Sequence, residues 1–97
     1  MQFLKTTLFE KDVEYLKRHN PRLLKRIKQL CLDIELHPFE GIGKPEALKY
    51  QFSGVWSRRI DTQNRLLYML IDDETVKLLS CYGHYKRYVS IYGIMIL

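Results

Sequence analysis

The sequence predicts an α+β domain in which an N-terminal strand and a two-helix hairpin pack on a mainly antiparallel, twisted sheet. Three observations point to it. Apolar residues recur at helical spacing up to about residue 36, and the period changes to two beyond residue 45. Short turns at Ser53-Gly54, Gln63-Asn64 and Asp72-Asp73-Glu74 then separate the stranded segments.

Gln2 to Thr6 is expected to form a short strand. From Thr7 to His19, Phe9, Val13 and Leu16 recur at i, i+4 and i+7, with Leu8, Asp12 and Tyr15 beside them. At Asn20-Pro21, Asn is expected to cap a second helix and Pro to occupy its first turn, where a missing N–H costs nothing. That helix runs to about Leu36, with Leu23, Leu24, Ile27, Leu30, Cys31 and Ile34 on one face. Lys17, Arg18, Arg22, Lys25, Arg26 and Lys28 form a basic face on the two helices, and His37-Pro38 ends the second. A loop with two glycines, Phe39 to Pro45, follows. Leu48, Tyr50 and Phe52 alternate with Lys49, Gln51 and Ser53 and predict a strand. Further strands are expected at Val55 to Asp61, Arg65 to Ile71 and Val76 to Tyr82. In the first of these, Ser57 and Arg59 fall on the face opposite Trp56, Arg58 and Ile60.

A chain of 97 residues makes one domain with one modest core. Residues 1–85 are assigned to that domain and 86–97 to an apolar C-terminal extension. Sixteen Lys and Arg against eleven Asp and Glu give a net charge of +5, which favours an anionic partner, although a basic surface can also be merely solvated. Cys31 and Cys81 show no CxxC or zinc spacing and are expected to be buried free thiols. The N-terminus is too short and polar for a signal peptide, and no run of 18 apolar residues exists; a soluble, cytoplasmic chain without a membrane partner is expected.

The chemistry concentrates in Lys44-Pro45-Glu46-Ala47-Leu48-Lys49, Trp56-Ser57-Arg58-Arg59-Ile60, Arg65 and His84-Tyr85. A carboxylate, an imidazole, a phenol and several cations can take a proton from one ribose oxygen, give one to another and neutralise the phosphate between them. No metal or cofactor is required for that. Each residue also has an ordinary explanation. Glu46 can be a solvated loop carboxylate, Arg65 can flank a turn, Arg58-Arg59 can be protective edge-strand charges, and His84-Tyr85 can be a packing pair. On the residues alone, a nucleic-acid-binding module stands ahead of a nuclease.

The segment from His37 to Tyr85, and more loosely the chain from Met1, resembles YoeB-type toxins of the RelE superfamily, the mRNA-cleaving half of bacterial toxin–antitoxin pairs. The match rests on Pro38-Phe39-Glu40-Gly41, Gly43-Lys44-Pro45-Glu46, Leu48-Lys49, Ser53-Gly54, Trp56-Ser57-Arg58-Arg59-Ile60, Arg65-Leu66 with Tyr68, Asp72-Asp73 and His84-Tyr85. The resemblance implies a RelE-like fold and a metal-independent endoribonuclease that cuts mRNA in the ribosomal A site. By it, Glu46 is the general base, His84 the general acid and Arg65 the stabiliser of the phosphate, with Tyr85 holding the nucleotide. Lys44, Lys49, Arg58 and Arg59 would contact RNA phosphates, and Lys25, Arg26 and Lys28 the ribosome. The implied partners are a cognate antitoxin protein, the ribosome with its mRNA, and a second copy of the chain. The alternative is a toxin of this fold without nuclease turnover, either a gyrase-directed relative or an RNA-binding module.

This chain departs from the family pattern in Gly83, which loosens the backbone under His84, and in its extension. Eight of the twelve residues from 86 to 97 are large and apolar or aromatic. At about 25 cal/mol per Å² of apolar surface, burial in an oligomer is expected over exposure on a monomer. Removing residues 86–97 should therefore leave a folded domain with weaker self-association in sedimentation. Unfolding of the truncated chain, or a stably monomeric full-length chain, would contradict this.

Overall fold

The computed structural model describes residues 1–84; Tyr85 and the 86–97 extension lie outside the described residues. The elements run β1 (Gln2–Lys5), α1 (Thr7–His19), α2 (Arg22–Leu36), β2 (Glu46–Ala47), a 3₁₀ turn (Tyr50–Phe52), β3 (Trp56–Arg59), β4 (Arg65–Asp72) and β5 (Thr75–Ser80). One five-stranded sheet has the order β1-β5-β4-β3-β2. β1 runs parallel to β5 and all other neighbours are antiparallel, so the α+β architecture is as the sequence indicates.

Thr6 starts α1: its Oγ1 accepts the N–H of Phe9 and donates to the carbonyl of Leu79, tying the helix to β5. The expected capping of the second helix by Asn20 is corrected. Asn20 closes α1 through its own N–H to the Leu16 carbonyl at 2.8 Å, and Pro21 stands at the start of α2 without a side-chain cap. Pro21 is already helical at φ −62°, and the N–H groups of Leu23 and Leu24 bond to the carbonyls of Asn20 and Pro21. Two donors of the first turn thus find backbone partners.

Phe9, Leu16, Ile27, Leu30 and Ile34 of the helices bury against Ile60, Leu66, Tyr68, Val76 and Leu78 of the sheet. A second cluster forms elsewhere, where Phe52, Val55, Leu67 and Leu79 are covered by Leu48 and Met69. It corrects the strand expected at 48–53. Only Glu46–Ala47 pair with β3; Tyr50 then adopts φ +57° and is 87% exposed, and the chain curls into the 3₁₀ turn. The alternation arose because Leu48 and Phe52 both reach this cluster, one from each side of the turn. Cys31 is half-buried and Cys81 buried, both as free thiols, and burial pushes the Cys31 thiol up to about 11.

Arg58, expected at an RNA phosphate, is fully buried. Its five N–H donors all find acceptors. Nε donates to Tyr68 Oη at 3.1 Å, Nη1 to the Asp33 carboxylate and the Ile42 carbonyl, and Nη2 to the carbonyls of His37 and Glu40. Tyr68 in turn donates to the Pro38 carbonyl at 2.7 Å. This corrects the phosphate role: no donor is left for a ligand, and the guanidinium instead fastens the loop after α2 to β3 and β4. Asp33 also accepts the Ile42 N–H at 3.0 Å. A Cβ on Gly41, at φ +112°, would collide with that carboxylate.

The Arg58 hydrogen bond holds the Asp33 carboxyl below the usual carboxylate range, against an opposing contribution from burial. The stability this contributes is present above the unfolded value of about 3.9 and is lost as pH falls through the folded one. Arg58→Ala should cost about 3–5 kcal/mol in denaturant unfolding, because it strands a carboxylate and several carbonyls. Asp33→Asn should flatten the loss of stability below about pH 4. A cost under about 1 kcal/mol for Arg58→Ala would contradict the role given to it.

Candidate active site

The sheet register assembles the cleft. Glu46 lies opposite Ser57, Ser57 opposite Leu67, and Arg59 opposite Arg65. Directly opposite residues share a face, and Leu67 belongs to the cluster beneath the 48–55 segment, so these side chains lie on the face turned away from the helices. There Glu46, Ser57, Arg59, Arg65 and His84, with Lys44 from the preceding loop, line a cleft of about 390 Å³.

Two glycines let the loop reach the cleft. Gly41 passes the Asp33 carboxylate, and Gly43, at φ +79°, passes Leu30 and the Arg59 carbonyl, where a Cβ would stand 2.8 Å from Leu30 Cδ2. The Gly43 carbonyl accepts the N–H of Arg59 at 2.6 Å, which docks the loop on β3. Lys44 follows at φ +50°, a left-handed backbone that a non-glycine residue adopts only when its surroundings fix it.

On β4, the Arg65 Nη1 donates to the carbonyls of Asp61 at 2.9 Å and Asn64 at 3.2 Å. No described hydrogen bond engages its Nε or Nη2. The Asp61 carboxylate accepts the N–H groups of Gln63 and Asn64 and the Asn64 amide. Burial raises its carboxyl, yet those donors and the charge of Arg65 carry it below the usual range. Gly83 is not the loose position the sequence suggested. Its N–H donates to Asn64 Oδ1 at 2.8 Å, and its carbonyl accepts the Arg65 N–H at 2.9 Å. The exposed His84 follows directly.

Of the site residues named from sequence, Glu46, Arg65, His84, Lys44 and Arg59 come together in the cleft. Lys49 does not line it; it precedes the 3₁₀ turn and is exposed. Arg58 is interior. Lys25 and Lys28 are exposed and Arg26 half-buried on α2, whose core residues pack on the opposite side of the sheet. Tyr85 lies outside the described residues. Ser57 was overlooked although its place opposite the apolar face was legible, Asn64 passed for an ordinary turn residue, and Asp61 for the end of a strand. Among the described residues, no group of three His, Cys, Asp or Glu could hold a metal ion, and no helix is long and apolar enough to cross a membrane.

Comparison with known proteins adds the family. The model of the YoeB-like toxins of bacterial type II toxin–antitoxin systems matches residues 5–85. The chain belongs to this family. It is a toxin of a toxin–antitoxin system, and a YoeB toxin from Synechocystis is 42% identical over 87 residues, which span 90% of this chain and all of that protein. A YoeB/ParE toxin from Agrobacterium tumefaciens superposes with a TM-score of 0.83 at 32% identity, covering 88% of this chain and 100% of that one. YoeB from Staphylococcus aureus, 35% identical, is similar both as a dimer, at a TM-score of 0.80, and in a heterotetramer with YefM, at 0.79; each covers 88% of this chain and 98% of the other.

Arginines directly opposite each other, as Arg59 and Arg65 are in this YoeB-like chain, repel, at a cost of about 0.2–1 kcal/mol that a bound anion reverses. Inorganic phosphate should therefore raise the thermal midpoint of the wild type. It should do so far less for Arg59→Gln/Arg65→Gln, each rise being measured from that protein's own midpoint in phosphate-free buffer. An equal rise in both proteins would show that the pair is not the anion site.

Proposed function

We propose that this YoeB-like toxin is a ribosome-dependent, metal-independent endoribonuclease acting on mRNA in the A site. The observation that carries the reading is one cleft holding a carboxylate and an imidazole beside a directly opposed arginine pair. Glu46 takes the proton of a ribose 2′-hydroxyl. The freed oxygen attacks the adjacent 3′ phosphorus, the bond to the 5′ oxygen breaks, and His84 protonates that leaving oxygen. The products are a 2′,3′-cyclic phosphate and a 5′-hydroxyl. Arg65, through the Nε and Nη2 donors that no hydrogen bond among the described residues engages, meets charge as it grows on the phosphate, with Arg59 and Lys44 beside it. Ser57 supplies a hydroxyl on the floor of the cleft, and Tyr85 stacks on the nucleotide.

Lys25, Arg26 and Lys28 meet ribosomal RNA on the other side of the sheet, so the ribosome is gripped by one surface and the mRNA cut by another. A cognate antitoxin neutralises the toxin, as the YefM complex of the staphylococcal relative suggests, and the dimer of that relative favours self-association here too. The protein acts in the cytoplasm.

General acid–base catalysis supplies roughly 10²–10⁴-fold, so Glu46→Gln and His84→Gln should each lower cleavage on programmed ribosomes by about that factor with the fold and ribosome binding intact. Wild-type turnover in either variant would remove that residue from the mechanism.

A further inference from the structure

We propose that the Ser57 hydroxyl is a substrate-binding group that donates a hydrogen bond to the ribose 2′-oxygen; the inference rests on the acid–base reading of the cleft. Ser57 lies on β3 with Glu46 of β2 opposite it on one side and Leu67 of β4 on the other. A strand on each side fixes its backbone, and only rotation about χ1 is left to the hydroxyl. The residue is 6% exposed. Burying a hydroxyl without a hydrogen bond is unfavourable, and β-branched or aromatic residues suit a strand better than serine does. Among the described residues no hydrogen bond engages Ser57 Oγ. No buried side-chain oxygen or nitrogen there lacks a partner, so this oxygen opens into the cleft that Ser57 lines.

The surroundings on that face limit what the hydroxyl can meet. Leu67 is apolar, and Val55, two residues back, is buried in the same cluster. Arg59, two residues on, can only donate, and it faces Arg65. Glu46 is exposed and directly opposite, a separation of about 4.5–5.5 Å between Cβ atoms in strand geometry. The hydroxyl therefore stands between the carboxylate and the opposed guanidiniums.

In the proposed reaction one substrate atom spans those two groups. The ribose 2′-oxygen gives its proton to Glu46 and an electron pair to the phosphorus held by the arginines. Its only hydrogen is committed to the carboxylate, so a second protein group at that oxygen has to donate to a lone pair, as Ser57 Oγ–H can. The contact strengthens as the oxygen gives up its proton. Deoxyribose has no such oxygen, so the same contact reads RNA against DNA.

The test titrates the full-length toxin with adenosine 3′-monophosphate and with 2′-deoxyadenosine 3′-monophosphate, which differ only in the 2′-hydroxyl. The wild type should bind the ribonucleotide more tightly. Ser57→Ala should lower that preference by about threefold to tenfold, the worth of one hydrogen bond, with affinity for the deoxynucleotide unchanged. Its ligand-free thermal midpoint should not fall, because no protein partner is lost. The same drop in preference should appear when Ser57→Ala is added to Glu46→Ala, which separates a direct contact from one passed through the carboxylate. On programmed ribosomes, Ser57→Ala should slow single-turnover cleavage by about threefold or more.

The proposal is overturned if the wild type does not prefer the ribonucleotide, or if Ser57→Ala leaves the preference or the cleavage rate at the wild-type level. Equal weakening of both nucleotides, as a contact to the phosphate would give, overturns it too. So does a preference that falls together with the midpoint, or an effect that vanishes on Glu46→Ala. Should the wild type cut no RNA, the acid–base reading fails, and the nucleotide preference still decides whether Ser57 meets the 2′-hydroxyl.

Discussion

A guanidinium taken out of water must find an acceptor for each of its five donors, and much of this fold is arranged around that demand. Arg58 draws on α2 through Asp33, on the 37–42 loop through three carbonyls, and on β4 through Tyr68. Removing one partner of such a group costs far more than the intact arrangement contributes to stability. The loop that it fastens is short of hydrophobic residues to anchor it: Phe39 and Ile42 are both substantially exposed. Polar contacts with a buried charge replace the missing core. They fix the path from the end of α2 to Gly43 and Lys44, and hence to Glu46 on the edge strand.

The same economy of small elements governs the cleft. β2 has two residues and β3 four, so cross-strand register alone sets Glu46 beside Ser57 and Arg59 beside Arg65. The helix side of the sheet is occupied by the larger apolar cluster, and the opposite side is only partly filled by the 48–55 segment. Space for a ligand remains next to that cover. Like charges facing each other across the β3–β4 pair, as at Arg59 and Arg65, suit a site whose ligand brings negative charge and keeps gaining it as the reaction proceeds.

Much of this could be read from the chain. The stripes Phe9/Val13/Leu16 and Leu23/Ile27/Leu30/Ile34 gave both helices, and β4 and β5 followed from their apolar runs. Glu46, Arg65 and His84 stood out through family likeness rather than through spacing, which gave a binding module first place. Arg58 shows where reading stopped short. Alternation already set it with Trp56 and Ile60, on the apolar face, yet a buried arginine needs acceptors from residues 33 to 42 and 68, a set no local pattern reveals. The strand expected at 48–53 gave way for a different reason: Leu48 and Phe52 mimic a strand because a turn, rather than a pleat, brings them to one cluster. Asn64 looked like a turn residue and Asp61 like the end of a strand; the bond from the Gly83 N–H to Asn64 joins positions distant in sequence, which no local pattern shows.

The most direct measurement on the central claim is the chemical identity of the cut ends when ribosomes programmed with a defined mRNA are treated with the toxin. Attack by the neighbouring 2′-hydroxyl, with Glu46 and His84 handling the protons, predicts a 2′,3′-cyclic phosphate on one fragment and a 5′-hydroxyl on the other. A 5′-phosphate with a 3′-hydroxyl, the ends left by attack of water on the phosphate, would contradict it.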